Sequence, residues 1–151
     1  MSSLETIHEL MQEASNLLDV AEVTERIDDP SWCFILDEDT YVDVDYDEAA
    51  DRLVLSISLG PVPRERQEEI FKLLLAYNML WRETGGGRMA LDPESNEAEF
   101  LVDLPAAKTD VSAFCAVFDH FVANAQDWRG IVQASSTEAP PLEDFGNALR
   151  V

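Results

Sequence analysis

The sequence predicts an α+β domain: an antiparallel, strongly twisted sheet of about five strands with three helices, in the order α-β-β-β-α-β-β-α. Three observations predict it. A segment near each end carries one apolar stripe at helical spacing, short runs with period-two alternation lie between them, and a central segment is apolar on two sides at helical spacing. At 151 residues, 46% of them apolar, the chain suits one domain around one core. The domain is expected over residues 1–132, with a flexible C-terminal tail over residues 133–151.

From Ser3 to Val23 the residues Leu4, Ile7, Leu10, Met11, Ala14, Leu17, Leu18 and Ala21 recur at three and four. At roughly 100° per residue they fill an arc of about 140°, one buried stripe. Ser3 is the expected cap of this helix. Asp28-Asp29-Pro30-Ser31 breaks it, and three β-rich runs follow, Trp32 to Leu36, Tyr41 to Tyr46 and Leu53 to Leu59. Their separators are acidic and of hairpin length, so the runs predict an antiparallel meander. Val42, Val44 and Tyr46 alternate with Asp43 and Asp45, and Leu53, Leu55, Ile57 and Leu59 alternate with Ser56 and Ser58, so one face is buried and one is wet.

The second helix is predicted over Arg64 to Trp81. Ile70, Leu73, Leu74, Tyr77, Leu80 and Trp81 make one stripe, and Phe71, Leu75 and Met79 make a second, rotated beyond it. Together they span roughly 260°, more than one sheet face hides. A helix apolar on two sides needs two partners. Gly85-Gly86-Gly87 is expected to end this helix in left-handed geometry. Arg88 to Leu91 and Glu97 to Leu104 then form a second hairpin across Asp92-Pro93-Glu94-Ser95-Asn96. A third helix, capped by Asp110, runs to Trp128 with Val111, Phe114, Cys115, Phe118, Phe121, Val122, Ala125 and Trp128 in an arc of about 140°.

The composition excludes several functions. The chain has 31 acidic against 10 basic residues and a formal charge of −21, which argues against nucleic acid and anionic membrane, where Lys and Arg replace counterions at phosphates. A charged partner is expected to be basic. No apolar run approaches the roughly 20 residues that span a bilayer, and the amino end carries Glu5, Glu9 and Glu13 rather than a basic signal-peptide start. A cytoplasmic protein without membrane insertion is expected. Cys33 and Cys115 each lie among large apolar residues, so buried thiols rather than a disulfide framework are expected.

No catalytic constellation stands out. There is no Gly-x-Ser-x-Gly elbow, and Cys115 and His120 lie about 140° apart on one helix, too far round to cooperate within it. His8 and His120 read as solvated. Asp43, Asp45, Asp47 and Glu48 match a calcium loop only in the spacing of the first acids, because its sixth position is Glu48 rather than glycine; Asp92, Glu94 and Asn96 fail in the same way at Glu97. The three glycines follow a helix and precede a strand, the reverse of a phosphate-binding loop. No metal, no cofactor and no enzymatic activity are expected. In the first strand Trp32, Phe34 and Leu36 project to one side and Cys33 and Ile35 to the other, so both faces want cover: one under a helix, the other by a bound apolar segment or by the chain's own tail.

In its order of elements over Ser3 to Val132, and locally in Phe71-Lys72-Leu73-Leu74-Leu75-Ala76-Tyr77-Asn78-Met79-Leu80, Met89-Ala90-Leu91-Asp92 and Val102-Asp103-Leu104, the chain resembles the class I chaperones of bacterial type III secretion, of the Tir chaperone (CesT) type. The resemblance implies a bacterial cytoplasmic homodimer that binds the N-terminal region of one or more secreted effectors and keeps it soluble, unfolded and export-competent. It places the dimer contact on the second helix and nearby strands, with Phe71, Leu75 and Met79 where much of that contact would lie. It places effector binding on the first helix and the sheet, here Leu10, Leu17, Trp32, Phe34 and Ile35. Secretion-apparatus ATPase or sorting components are added as candidate partners. Two other readings stand beside it: an acidic mimic or inhibitor of a basic protein surface, which the charge permits, and a small hydrolase working through Asp or Glu.

Overall fold

The first helix is shorter than its apolar spacing predicts, and the chain it releases becomes a strand. In the computed structural model, which describes residues 2–26 and 28–134, helix α1 spans Leu4–Leu17 and strand β1 follows at Glu22–Arg26. Ser3 caps α1 as expected, its hydroxyl accepting from the Thr6 N–H at 3.1 Å. The continuation of the helix to Val23 is corrected. Leu18 turns to extended backbone, and Glu22–Arg26 pairs residue for residue with β2, Ser31–Ile35. β1 carries one apolar residue, Val23, and owes its form to ladder bonds with β2 rather than to its own pattern.

Strands β3 (Tyr41–Asp47) and β4 (Arg52–Pro61) complete the meander, and helix α2 spans Gln67–Met79 behind a short 3₁₀ turn. The hairpin β5 (Arg88–Leu91) and β6 (Glu97–Pro105) precedes helix α3, Val111–Gln133. The sheet has six strands in the order β1-β2-β3-β4-β6-β5, and the pairs β1–β2, β2–β3, β3–β4 and β5–β6 run antiparallel. The α+β class and the predicted elements stand; the expected count of about five becomes six through β1. The tail expected over residues 133–151 lies, from residue 135 on, outside the described residues.

The chain divides into two compact units, one holding the residues up to Ile57 with Val102–Phe121, the other Ser58–Leu101 with the chain from Val122 on. In the first unit the inward residues Trp32, Phe34, Val42, Val44, Leu53 and Leu55 are buried, as are Ile7, Leu10, Met11 and Ala14 of α1. Phe34 packs against Phe114 and Phe118, with ring centroids 6.1 and 5.3 Å apart. Asp110 caps α3, its Oδ1 accepting from the Ala113 N–H at 2.8 Å. α3 outruns its predicted end at Trp128 because Ile131, Val132 and Gln133 still have partners: Val132 is buried and Gln133 Nε2 donates to the Leu59 and Pro61 carbonyls at 3.0 and 2.9 Å.

In the second unit Tyr77 is the centre of the packing, edge-on to Phe100 and to Trp128 at 5.8 and 5.5 Å. α2 stops at Met79, two residues before the predicted Trp81, and the glycines do not end it. Leu80 closes the helix, its carbonyl accepting from Glu83 and Thr84, and Trp81 stands exposed with the Arg82 guanidinium over its ring, a cation–π contact. Gly85 and Gly86, both at positive φ, turn the chain after this closure and lead it into β5.

Candidate functional site

Helix α2 sorts its two apolar stripes by exposure. Ile70, Leu73, Leu74 and Tyr77 are buried, whereas Leu75 and Met79 are 69% and 80% exposed and Phe71 is half-buried. The second stripe therefore faces away from the packing that claims the first. Beside it opens a pocket of about 260 Å³ lined by Phe71, Leu74, Leu75, Asn78, Met89, Ala90 and Leu91. Apart from Asn78 the lining side chains are apolar, so the site offers desolvation and shape and very little charge or chemistry. Asn78 is held in place there: its Nδ2 donates to the Met89 carbonyl at 3.0 Å and its Oδ1 accepts from the Met89 N–H at 2.7 Å.

The expected dimer residues Phe71, Leu75 and Met79 are thus brought together on one accessible strip. Asn78, Met89 and Leu91, which join them, are no part of that helix's apolar stripes; Met89 and Leu91 are adjacent because β5 lies beside α2.

In the first unit the five residues assigned to effector binding separate. Leu10, Trp32 and Phe34 are buried in the core of the chain itself, Ile35 is half-buried, and Leu17 is 69% exposed at the end of α1. Alternation explains the division: Trp32 and Phe34 share the inward parity of β2, and Cys33 and Ile35 the outward parity. Ile35 pairs across strands with Tyr41, itself 48% exposed, and Leu4 is exposed as well.

Cys33 sits on the same outward face opposite Asp43. It and Cys115 are partly exposed rather than buried as expected. Burial of the Cys33 sulfur, followed by the charge of Asp43, pushes its thiol up from the ordinary value, which keeps it protonated and poorly nucleophilic. A recess of about 120 Å³ lies here, lined by Arg26, Ser31, Trp32, Cys33, Asp43 and Asp45. Asp45 is exposed as a residue, yet loss of solvent around its carboxyl and the neighbouring Asp43 charge hold it above the usual carboxylate range.

Two of the acids weighed as calcium loops hold turns of the backbone. Asp92 accepts from the Glu94 and Ser95 N–H groups in the β5–β6 turn, and Asp47 accepts from Ala50 and pairs with Arg52. Among the described residues no group of three or more His, Cys, Asp or Glu stands close enough to hold a metal ion. No helix among them is long and apolar enough to cross a membrane.

Comparison with known proteins agrees with this architecture. The profile of the Tir chaperone protein (CesT) family matches residues 26–129. No curated protein matches the chain in sequence. Among solved structures the chain is similar to the ExsC–ExsE complex, with 18% identity and a TM-score of 0.75 over 90% of this chain and 100% of the other. The HopA1–SchA chaperone–effector complex follows with 20% identity and a TM-score of 0.67, over 82% and 92%. The Yersinia pestis type III secretion chaperone SycH, in complex with a stable fragment of YscM2, gives 18% identity and a TM-score of 0.61, over 80% and 97%.

Proposed function

The chain belongs to the Tir chaperone protein (CesT) family, and from that membership we propose that it is a type III secretion chaperone, a cytoplasmic homodimer that binds the N-terminal region of one or more secreted effectors and keeps it soluble, unfolded and export-competent. It works by binding, without turnover. The observation that carries the reading is the accessible apolar strip of Leu75 and Met79 beside the pocket at Phe71 and Leu91: an apolar face of this kind on a chain with a charge of −21 is a contact surface. We assign it to the second copy. Effector contact falls to the accessible apolar residues of the first unit, Leu17 and Ile35 among those assigned from sequence, joined by Leu4 and Tyr41. Leu10, Trp32 and Phe34 belong to the core of the chain itself. The solved structures similar to this chain include a chaperone–effector complex and a secretion chaperone holding a fragment of its partner, which supports the same assignment.

The test is co-expression with N-terminal segments of secreted proteins from the same host, followed by affinity capture and light scattering. A stable complex carrying two copies of this chain is the expected result. A monomeric chain that retains no segment would sink the reading.

A second reading, an acidic mimic that occupies a basic protein surface, is favoured by the charge alone. The two differ in salt dependence. A complex held by apolar contacts survives salt of about 1 M, where the Debye length is near 3 Å, and one held by surface charge does not.

A further inference from the structure

β5 is the last strand of the sheet, and the outer side of a last strand is where backbone N–H and C=O groups stand ready to bond another chain. In an antiparallel ladder the residues alternate, one parity turned toward the partner strand and the other away. The Met89 N–H and C=O both bond Asn78. The outward parity of β5 is therefore that of Gly87, Met89 and Leu91, with Met89 opposite Phe100 and Leu91 opposite Ala98 in β6.

Accounting for these groups leaves little for an incoming strand. The Gly87 N–H donates to the Thr84 carbonyl at 3.3 Å, and both backbone groups of Met89 are taken by one side chain. A carboxamide offers one acceptor and one donor in a plane, the same pair that a peptide unit of a seventh strand presents. Asn78 thus occupies the central outward position of β5 from the last turn of α2. Leu91 alone offers an outward N–H and C=O together, and one such residue does not register a strand. Without the amide, this end of the sheet is an apolar edge, with Leu91 39% exposed beside the pocket, and such an edge pairs with copies of itself.

We propose that Asn78 closes the β5 edge against strand addition, so that copies of this chain do not pair through its open backbone. The proposal is independent of any client and does not require the α2 contact to form.

Hydrogen exchange followed by NMR and light scattering test it together. In the unaltered chain the Met89 amide is expected to exchange at least about tenfold more slowly than that of Leu91, the factor that a hydrogen bond of about 1.4 kcal/mol represents. Asn78→Ala is expected to remove that protection and to make the mass climb with protein concentration. Adding Leu91→Lys is expected to return the mass to that of the unaltered chain without returning the protection, because an edge lysine repels a further strand by itself. In a chain carrying Leu75→Glu and Met79→Glu, Asn78→Ala is still expected to raise the mass, which separates this result from the fate of the α2 contact. The proposal is overturned by a folded Asn78→Ala chain whose mass matches the unaltered one at every concentration. Equal exchange of Met89 and Leu91 in the unaltered chain overturns it too. So does failure of both Asn78→Ala and the near-isosteric Asn78→Asp to fold, since the amide then serves the fold rather than the edge.

Discussion

Arg66 is a buried cation in an acidic chain, its side chain 1% exposed. Its Nη1 donates to the Ile131 and Ala134 carbonyls at 2.8 and 2.6 Å, and its Nε reaches Glu69 at 3.3 Å. The last carbonyls of a helix lack partners within it, and here an arginine 65 and 68 positions away supplies them. Arg66→Met keeps the apolar stem and strands both carbonyls, so stability is expected to fall by about 2–4 kcal/mol, read from the denaturant midpoint. Asp45 gives the opposite sign. Its carboxyl is held above the value it has in the unfolded chain, about 3.9, by loss of solvent and by Asp43. The native state thus binds the proton more readily, and stability declines as pH rises through that shifted range. Asp45→Asn is expected to raise the unfolding midpoint at pH 7, with the gain vanishing below about pH 4. A lower midpoint at pH 7 would mean that attraction to Arg26 outweighs the loss of solvent.

At the scale of elements the junction between α2 and β5 is the least tolerant point. A Cβ on Gly87 would lie 2.8 Å from the Tyr77 hydroxyl and 3.0 Å from the Phe100 ring, and both rings are buried against Trp128 or each other. Gly87→Ala is expected to cost about 1–3 kcal/mol through overpacking. Gly86→Ala meets no neighbour but stands at φ +87°, so its cost comes from the backbone alone. Thermal unfolding of both variants, with near-ultraviolet dichroism of the aromatic cluster, separates the two causes: only Gly87→Ala is expected to disturb the aromatic signal. The helices were legible where a stripe and a cap coincide, as at Ser3 and Asp110. β1 was not. Glu22-Val23-Thr24-Glu25-Arg26 has one apolar residue, and a strand of that kind exists only by pairing with Ser31–Ile35. Alternation along β2, together with burial in the first unit's core, places Trp32 and Phe34 inward.

For the whole molecule, the charge of −21 and the apolar strip on α2 make separable demands. Leu75→Glu with Met79→Glu places two charges on the strip and removes nothing from the core, so the chain is expected to keep its circular dichroism while its mass by light scattering falls to that of one copy. An unchanged mass with an intact fold counts against α2 as the contact. By itself the sequence determined the kinds of element, nearly all of their order, the sign of the surface and the presence of two stripes between Ile70 and Met79, because periodicity and charge are properties of a segment and its near neighbours. Tertiary structure decided which stripe is covered, that β5 ends the sheet and lies beside α2, that Asn78 bonds its edge, and that a sixth strand exists. Those are relations between segments distant in sequence, and hydrogen-bond pairing and burial come into being only when such segments meet.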